Sequence, residues 1–228
     1  MSLEDRAHPD PHGLRQLVGT TPQMVGRYPH YDVLRETGHW DEVTRRVVLD
    51  RVENVPSIRF FEAAEAETLK SFCDVVTAQD AEPRIPVLSY VDEKLAGGVG
   101  DGWRYDDLPG DGEVWRLVAK GLDAETGTGS FARAPLGAQV VIVQRFARGE
   151  VTWDGLDVEH AWKVVLRYVV QAFYSHPWAW NEIGFGGPAY PRGYGAFGSP
   201  HLRERESWEA EESAHYDPVA DTRERGVA

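Results

Sequence analysis

Asp157-Val-Glu-His-Ala-Trp-Lys-Val-Val-Leu-Arg-Tyr-Val-Val-Gln-Ala-Phe-Tyr-Ser175 is the stretch that decides the fold. Its apolar residues fall at Val158, Ala161/Trp162, Val165, Tyr168/Val169 and Ala172/Phe173. That is helical spacing, and it puts one apolar stripe along a helix of about 157–175. Asp157 suits the N-cap, because its carboxylate can accept from the first free backbone N–H groups. Working outward, the same spacing recurs. Leu69, Phe72, Cys73 and Val76 share one face of a helix within Ala63–Gln79. Pro86 opens a second helix lined by Leu88, Val91 and Leu95, and Gly97-Gly98 stops it. A Gly/Asp-rich loop over 97–112 leads to a third helix, with Val114, Leu117, Val118 and Leu122 inward. Pro135 starts a fourth, with Leu136, Val140, Val143 and Phe146/Ala147 inward. No βαβ alternation and no repeat period is visible. The expected architecture is mostly α: a single irregular bundle of about five helices with long ordered loops, an irregular N-terminal arm and an extended C-terminal tail.

The expected organisation is an arm over 1–57, a helical domain over 58–198 and a charged tail over 199–228. Within the arm, Glu42 to Asp50 reads as a short helix or strand, and Val47-Val48-Leu49 and Ile58-Arg59-Phe60-Phe61 flank Asn54-Val55-Pro56, a pattern that also allows a small β-hairpin. The tail has few apolar anchors, notably Trp208 and Tyr216, and cannot bury enough area to fold alone. It is either a solvated extension or an arm that wraps a partner through those two rings.

The 228 residues carry 24 Lys+Arg against 37 Asp+Glu, a net charge of −13. Nucleic acid and anionic membranes would repel such a chain, and no Lys/Arg cluster relieves this, so neither is an expected partner. A mean hydropathy of −0.44 and the lack of a long apolar run exclude a spanning helix. The single cysteine, Cys73, forbids an internal disulfide, multi-thiolate zinc and ordinary covalent haem attachment. Its place on an apolar face makes it a small core residue rather than a nucleophile. Met1-Ser-Leu-Glu-Asp-Arg6 lacks an apolar signal core, and Arg45-Arg46 is too deep for a twin-arginine signal, so the expected compartment is the cytoplasm.

Residues 174–194 read Tyr-Ser-His-Pro-Trp-Ala-Trp-Asn-Glu-Ile-Gly-Phe-Gly-Gly-Pro-Ala-Tyr-Pro-Arg-Gly-Tyr. Pro177, Pro188 and Pro191 argue against regular helix. The rings of Trp178, Trp180, Phe185, Tyr190 and Tyr194 argue against a flexible linker, so an ordered loop is expected, packed on the chain's own core or on a second protein. Trp and Tyr beside Arg192 suit an interface, where aromatics and Arg are enriched. The candidate partner-binding residues are Trp178, Trp180, Asn181, Glu182, Phe185, Tyr190, Arg192 and Tyr194, with Trp208 and Tyr216 in the tail. Asn181 and Glu182 can equally cap local backbone. Gly184-Phe-Gly186-Gly-Pro188-Ala189 matches G-x-G-x-x-A on paper only, since a dinucleotide fingerprint must open a helix after a strand.

Asn181-Glu-Ile-Gly-Phe-Gly-Gly-Pro-Ala-Tyr-Pro-Arg-Gly-Tyr194 resembles the C-terminal signature of the gluconate 2-dehydrogenase subunit 3 family. Ile58-Arg59-Phe60-Phe61 with Glu67-Thr-Leu69 and Phe72-Cys73-Asp74 resembles its opening helix. Arg84-Ile85-Pro86 with Asp92-Glu93-Lys94-Leu95 resembles its second helix, and Gly100-Asp101-Gly102-Trp103-Arg104-Tyr105 the loop after it. The resemblance spans roughly residues 28–200. It implies a small, helical, non-flavin subunit that accompanies a large FAD-dependent dehydrogenase of the glucose-methanol-choline type, in some cases with a c-type cytochrome. The partner, not this chain, would hold FAD and oxidise a sugar or sugar acid. The small subunit would support its folding, stability or export.

Chemistry by this chain alone is weakly signalled. Asp106-Asp107 and Glu211-Glu212 do not converge by spacing alone. His160, His176, His201 and His215 lack H-E-x-x-H or facial-triad spacing. His176, at the end of the longest helix, can pair with that helix's last carbonyls or touch a partner's active site. No catalytic, cofactor-binding or metal-binding residue is assigned. The alternative is a free-standing carbohydrate-active hydrolase using acidic groups near Asp101–Asp107.

Overall fold

The computed structural model describes residues 32–79, 82–127 and 129–188. The regular elements among them are helices, as expected: a 3₁₀ helix Val33–His39, then α1 Glu42–Glu53, α2 Ala63–Val76, α3 Val87–Ala96, α4 Asp111–Ala124, α5 Leu136–Ala147, α6 Val158–Tyr174 and α7 Pro177–Ile183. The five anticipated helices are α2 to α6. The additions lie in the arm and in the aromatic segment.

Two compact units divide the chain. One comprises Val55–Gln79 and Pro86–Phe173. Here α2 is the hub, packing on α3, α4 and α5. Phe72 sits fully buried on α2, with ring centroids of Trp115, Phe146 and Trp162 each 6.3 Å away. Leu69 and Cys73 flank it, and Val114, Val118 and Leu122 of α4 and Val165 and Val169 of α6 extend the same core. Each such side chain contributes about 1.5–3 kcal/mol by leaving water. Burial pushes the Cys73 thiol pKa well above its ordinary value, so it is a core residue and not a thiolate. On α5 the inward stripe differs from the expected one. Leu136 is 51% exposed and Val140 half-buried, while Gln139, Ile142, Val143 and Phe146 are inside. Gln139 takes the inner seat of the first turn because its amide donates to the carbonyls of Phe131 and Ala132, at 2.9 and 3.3 Å.

The other unit comprises, among the described residues, 32–54, 82–85 and 174–188. Its core is Val33, Leu34, Trp40, Val48 and Trp180, with Leu49 and Val52 against it. The expected hairpin is not formed. Val47-Val48-Leu49 lies within α1, started by Asp41, whose carboxylate accepts from Thr44 N at 2.9 Å. Hydrogen bonding from the Thr44 side chain, then from its backbone, lowers the Asp41 pKa. Val48 is the fully buried residue of the triplet, on the side of α1 that packs with Trp40 and Trp180. Residues 54–62 are irregular, and three of their backbone donors go to one side chain. Asp92 of α3, fully buried, accepts from the N–H groups of Arg59, Phe60 and Phe61 at 2.7, 2.9 and 3.0 Å.

Candidate functional site

The aromatic segment after α6 is partly helical, against expectation. Pro177 occupies the first turn of α7, where its missing N–H costs nothing. His176 caps that helix rather than the end of α6: its Nδ1 accepts from Trp178 N at 3.2 Å. Burial, then the nearby Arg51 charge, drives the His176 pKa down to about 3, against a weaker opposing hydrogen bond to the Arg51 backbone. The imidazole is therefore neutral, as an accepting cap must be. Gly184, at φ 66°, ends the helix in the left-handed region.

The candidate residues here point mostly inward. Trp178 and Trp180 are buried, and the Trp180 indole N–H donates to the Tyr174 carbonyl at 2.6 Å. Asn181 is buried and bonds on both sides of its amide. Its Oδ1 accepts from Val33 N at 2.8 Å, and its Nδ2 reaches Asp32 Oδ1 at 3.3 Å. Glu182 is half-buried. Phe185 is exposed, edge-on to Trp180 with centroids 5.5 Å apart. Tyr190, Arg192, Tyr194, Trp208 and Tyr216 lie outside the described residues.

A cleft of about 530 Å³ opens instead in the unit of α2 to α6, at the Gly/Asp-rich loop. Its walls come from Phe60, Lys94, Leu95, residues 98–104, Gly110–Gly112 and Tyr168. Asp101 pins the loop. Lys94 Nζ lies 2.6 Å from its Oδ1, and Arg167 Nε lies 2.8 Å from its Oδ2 as an ion pair without hydrogen-bond alignment. Lys94 also donates to Gln171 at 3.0 Å and sits 4.4 Å from the centre of the Tyr168 ring. The Tyr168 hydroxyl donates to Asp111 Oδ2 at 2.6 Å. Burial, then that bond and the Asp111 and Asp101 charges, raises the Tyr168 pKa, so the phenol stays a donor. Phe60 lies so close over Gly112 that a Cβ there would come within 2.4 Å of its ring. The polar groups of the floor are thus engaged with one another. The open part is apolar and cationic: Trp103 is 54% exposed, Val99 is 61% exposed, and Arg104 is exposed.

Beyond the cleft, Asp107, Asp157 and His160 bring ligand-type atoms within 4.8 Å of one another, and are the described side chains best placed to hold a metal. Each already has a local task. Asp157 caps α6 by accepting from His160 N at 2.9 Å, as expected of it. His160 Nδ1 meets Asp107 Oδ2 at 2.8 Å, and its ring stacks on Tyr105 at 3.9 Å. The start of a helix, with its partial positive charge, also disfavours a cation. The cluster reads as a clasp between loop and helix.

The segments that carry the sequence resemblance bond to each other. Asp92 grips Arg59-Phe60-Phe61, and Lys94, two residues on, grips Asp101. Residues 63–187, more than half of the chain, match the family model described as gluconate 2-dehydrogenase subunit 3. The chain belongs to the gluconate 2-dehydrogenase subunit 3 family. No curated protein and no solved structure matches it. The match to the subunit 3 family takes in the cleft walls from Lys94 to Tyr168 and the aromatic segment as far as Gly187. No helix among the described residues is long and apolar enough to cross a membrane.

In the sequence, 97–112 reads as a Gly/Asp-rich loop with acidic groups whose Gly100–Tyr105 stretch resembles the family's loop, with no binding role for its side chains. Trp103 and Arg104 escaped that reading as surface residues, although a tryptophan among glycines and aspartates is itself a signal: nothing nearby in the chain can cover it.

Proposed function

We propose that this chain is a non-catalytic small subunit of an FAD-dependent dehydrogenase complex, and that it stabilises or matures a flavoprotein partner of the glucose-methanol-choline type. The partner binds FAD and oxidises a sugar or sugar acid; a c-type cytochrome is a further candidate component. The observation that carries this reading is the match of residues 63–187 to a family of dehydrogenase subunits. The cleft is consistent with it. A hydrolase needs carboxylates free to exchange protons with substrate. Here both Asp101 oxygens face cations and Asp111 accepts from Tyr168.

The test is affinity purification of the full chain from its native cells under mild conditions, with mass spectrometry and an absorption spectrum of the eluate. A co-purifying flavoprotein whose flavin bleaches with a sugar or sugar acid is the expected result. A chain recovered alone, with glycosidase activity abolished at one carboxylate, would replace this reading with the hydrolase.

A further inference from the structure

The tryptophans Trp40, Trp115, Trp153, Trp178 and Trp180 are buried and Trp162 is half-buried, while Trp103 stands more than half in water. It is not there for want of order. The Arg167 guanidinium lies 4.7 Å from its ring centre, and Tyr105 meets it edge-on at 5.2 Å. Two residues before it, Asp101 is pinned by Lys94 and Arg167. The ring is held in place before anything binds, so docking would not have to order it. Val99 rises on the same loop and Phe60 stands in the same cleft wall. Arg104, next in sequence, is exposed and makes no ion pair among the described residues. Arg104 thus offers a carboxylate an unpaired cation beside a rigid exposed indole.

From this we infer that the Val99–Arg104 rim and its cleft are the anchor for the flavoprotein subunit, which inserts a loop carrying an apolar side chain beside a carboxylate. The apolar side chain packs between Trp103, Val99 and Phe60, and the carboxylate pairs with Arg104, whose planar fork suits it. Trp and Arg at the centre of a pocket are the residue types that dominate association energy. This inference rests on the accessory-subunit reading and assigns it a surface.

The experiment compares full-length wild type with Trp103→Ala, Arg104→Glu and, as a control on another exposed apolar side chain, Val141→Ser. Each is co-expressed with the flavoprotein found by the purification above, and flavin absorbance per chain is read in the eluate. Trp103→Ala and Arg104→Glu are expected to lower flavin recovery at least about tenfold, with Val141→Ser unchanged. Arg104→Glu guards against misfolding, since Arg104 carries no ion pair to lose. Undiminished flavin with both rim variants overturns the inference and leaves the proposed function standing. Absence of flavin with wild type overturns the proposed function itself. Wild type that is dimeric by sedimentation, with Trp103→Ala monomeric and still flavin-loaded, would assign the rim to a second copy of this chain instead.

Discussion

The loop at 97–112 and the segment at 174–188 are both rich in glycine and aromatic rings, yet they place those rings oppositely. After α6 the chain turns into α7, which buries Trp178, seats Trp180 in the core of its own unit and spends Asn181 on the backbone of Val33. The 97–112 loop forms no helix of its own before α4 begins at Asp111; it is fastened by charges to α3 and α6, and its Trp103 ring is left outside. The difference teaches that ring content alone does not mark an interface. What decides is whether local backbone can fold the ring back onto a surface of its own.

The comparison can be broken most forcefully at Trp180. Trp180→Ala removes a core ring and should destabilise its unit by about 3–5 kcal/mol, read by thermal or urea denaturation of the isolated chain. A change near zero would mean that the segment is not packed as described. Next in size is Asp92→Ala, which strands three backbone donors; a loss of about 3 kcal/mol is expected. Because Asp92 sets residues 59–61, amide exchange there should also quicken. His176 gives a smaller, pH-dependent effect. Its folded pKa of about 3 lies below the ordinary 6.5, so the unfolded chain binds the proton first as pH falls. Its contribution is complete above pH 6.5 and declines toward pH 3, by at most about 1.4 kcal/mol per pH unit. His176→Asn keeps a capping oxygen without a titrating group. Melting curves between pH 6.5 and pH 5, above most carboxylate titration, should be flatter for that variant than for wild type. Trp103→Ala closes the series: its effect on the stability of the isolated chain should stay within about 0.5 kcal/mol, as for most surface positions. A loss as large as that at Trp180 would erase the contrast between the two segments.

Much of the α2–α6 unit was legible because its stripes are long and their caps local: Asp157, Pro86 and Pro135 sit where helix starts require them. The hairpin reading failed at Val47-Val48-Leu49 because a short apolar run has no clear period, and the Asp41 cap, six residues upstream, settled it. Pro177 misled by residue type, since proline ends a helix from within but opens one at its first turn. At the site, the Asp92 bonds to residues 59–61 and the Asp101–Arg167 ion pair join residues far apart in the sequence. Nothing in the local pattern of either aspartate distinguishes it from a solvated one. Trp103 was visible as a residue, but its exposure depends on Arg167 and Tyr105 converging in space.

The Asn181 amide bonds a backbone group 148 residues earlier. On the ribosome, Val33 and the short helix that follows emerge with their partner still unmade. At roughly 5–20 residues per second the wait is on the order of 10 s. The helices from α2 to α6 are synthesised within that interval, and their unit can close before α7 exists. The segment at 32–54 must meanwhile keep Val33, Leu34 and Trp40 from binding elsewhere. A chaperone that holds nascent apolar segments would therefore be met early, at the N-terminal side, and released late.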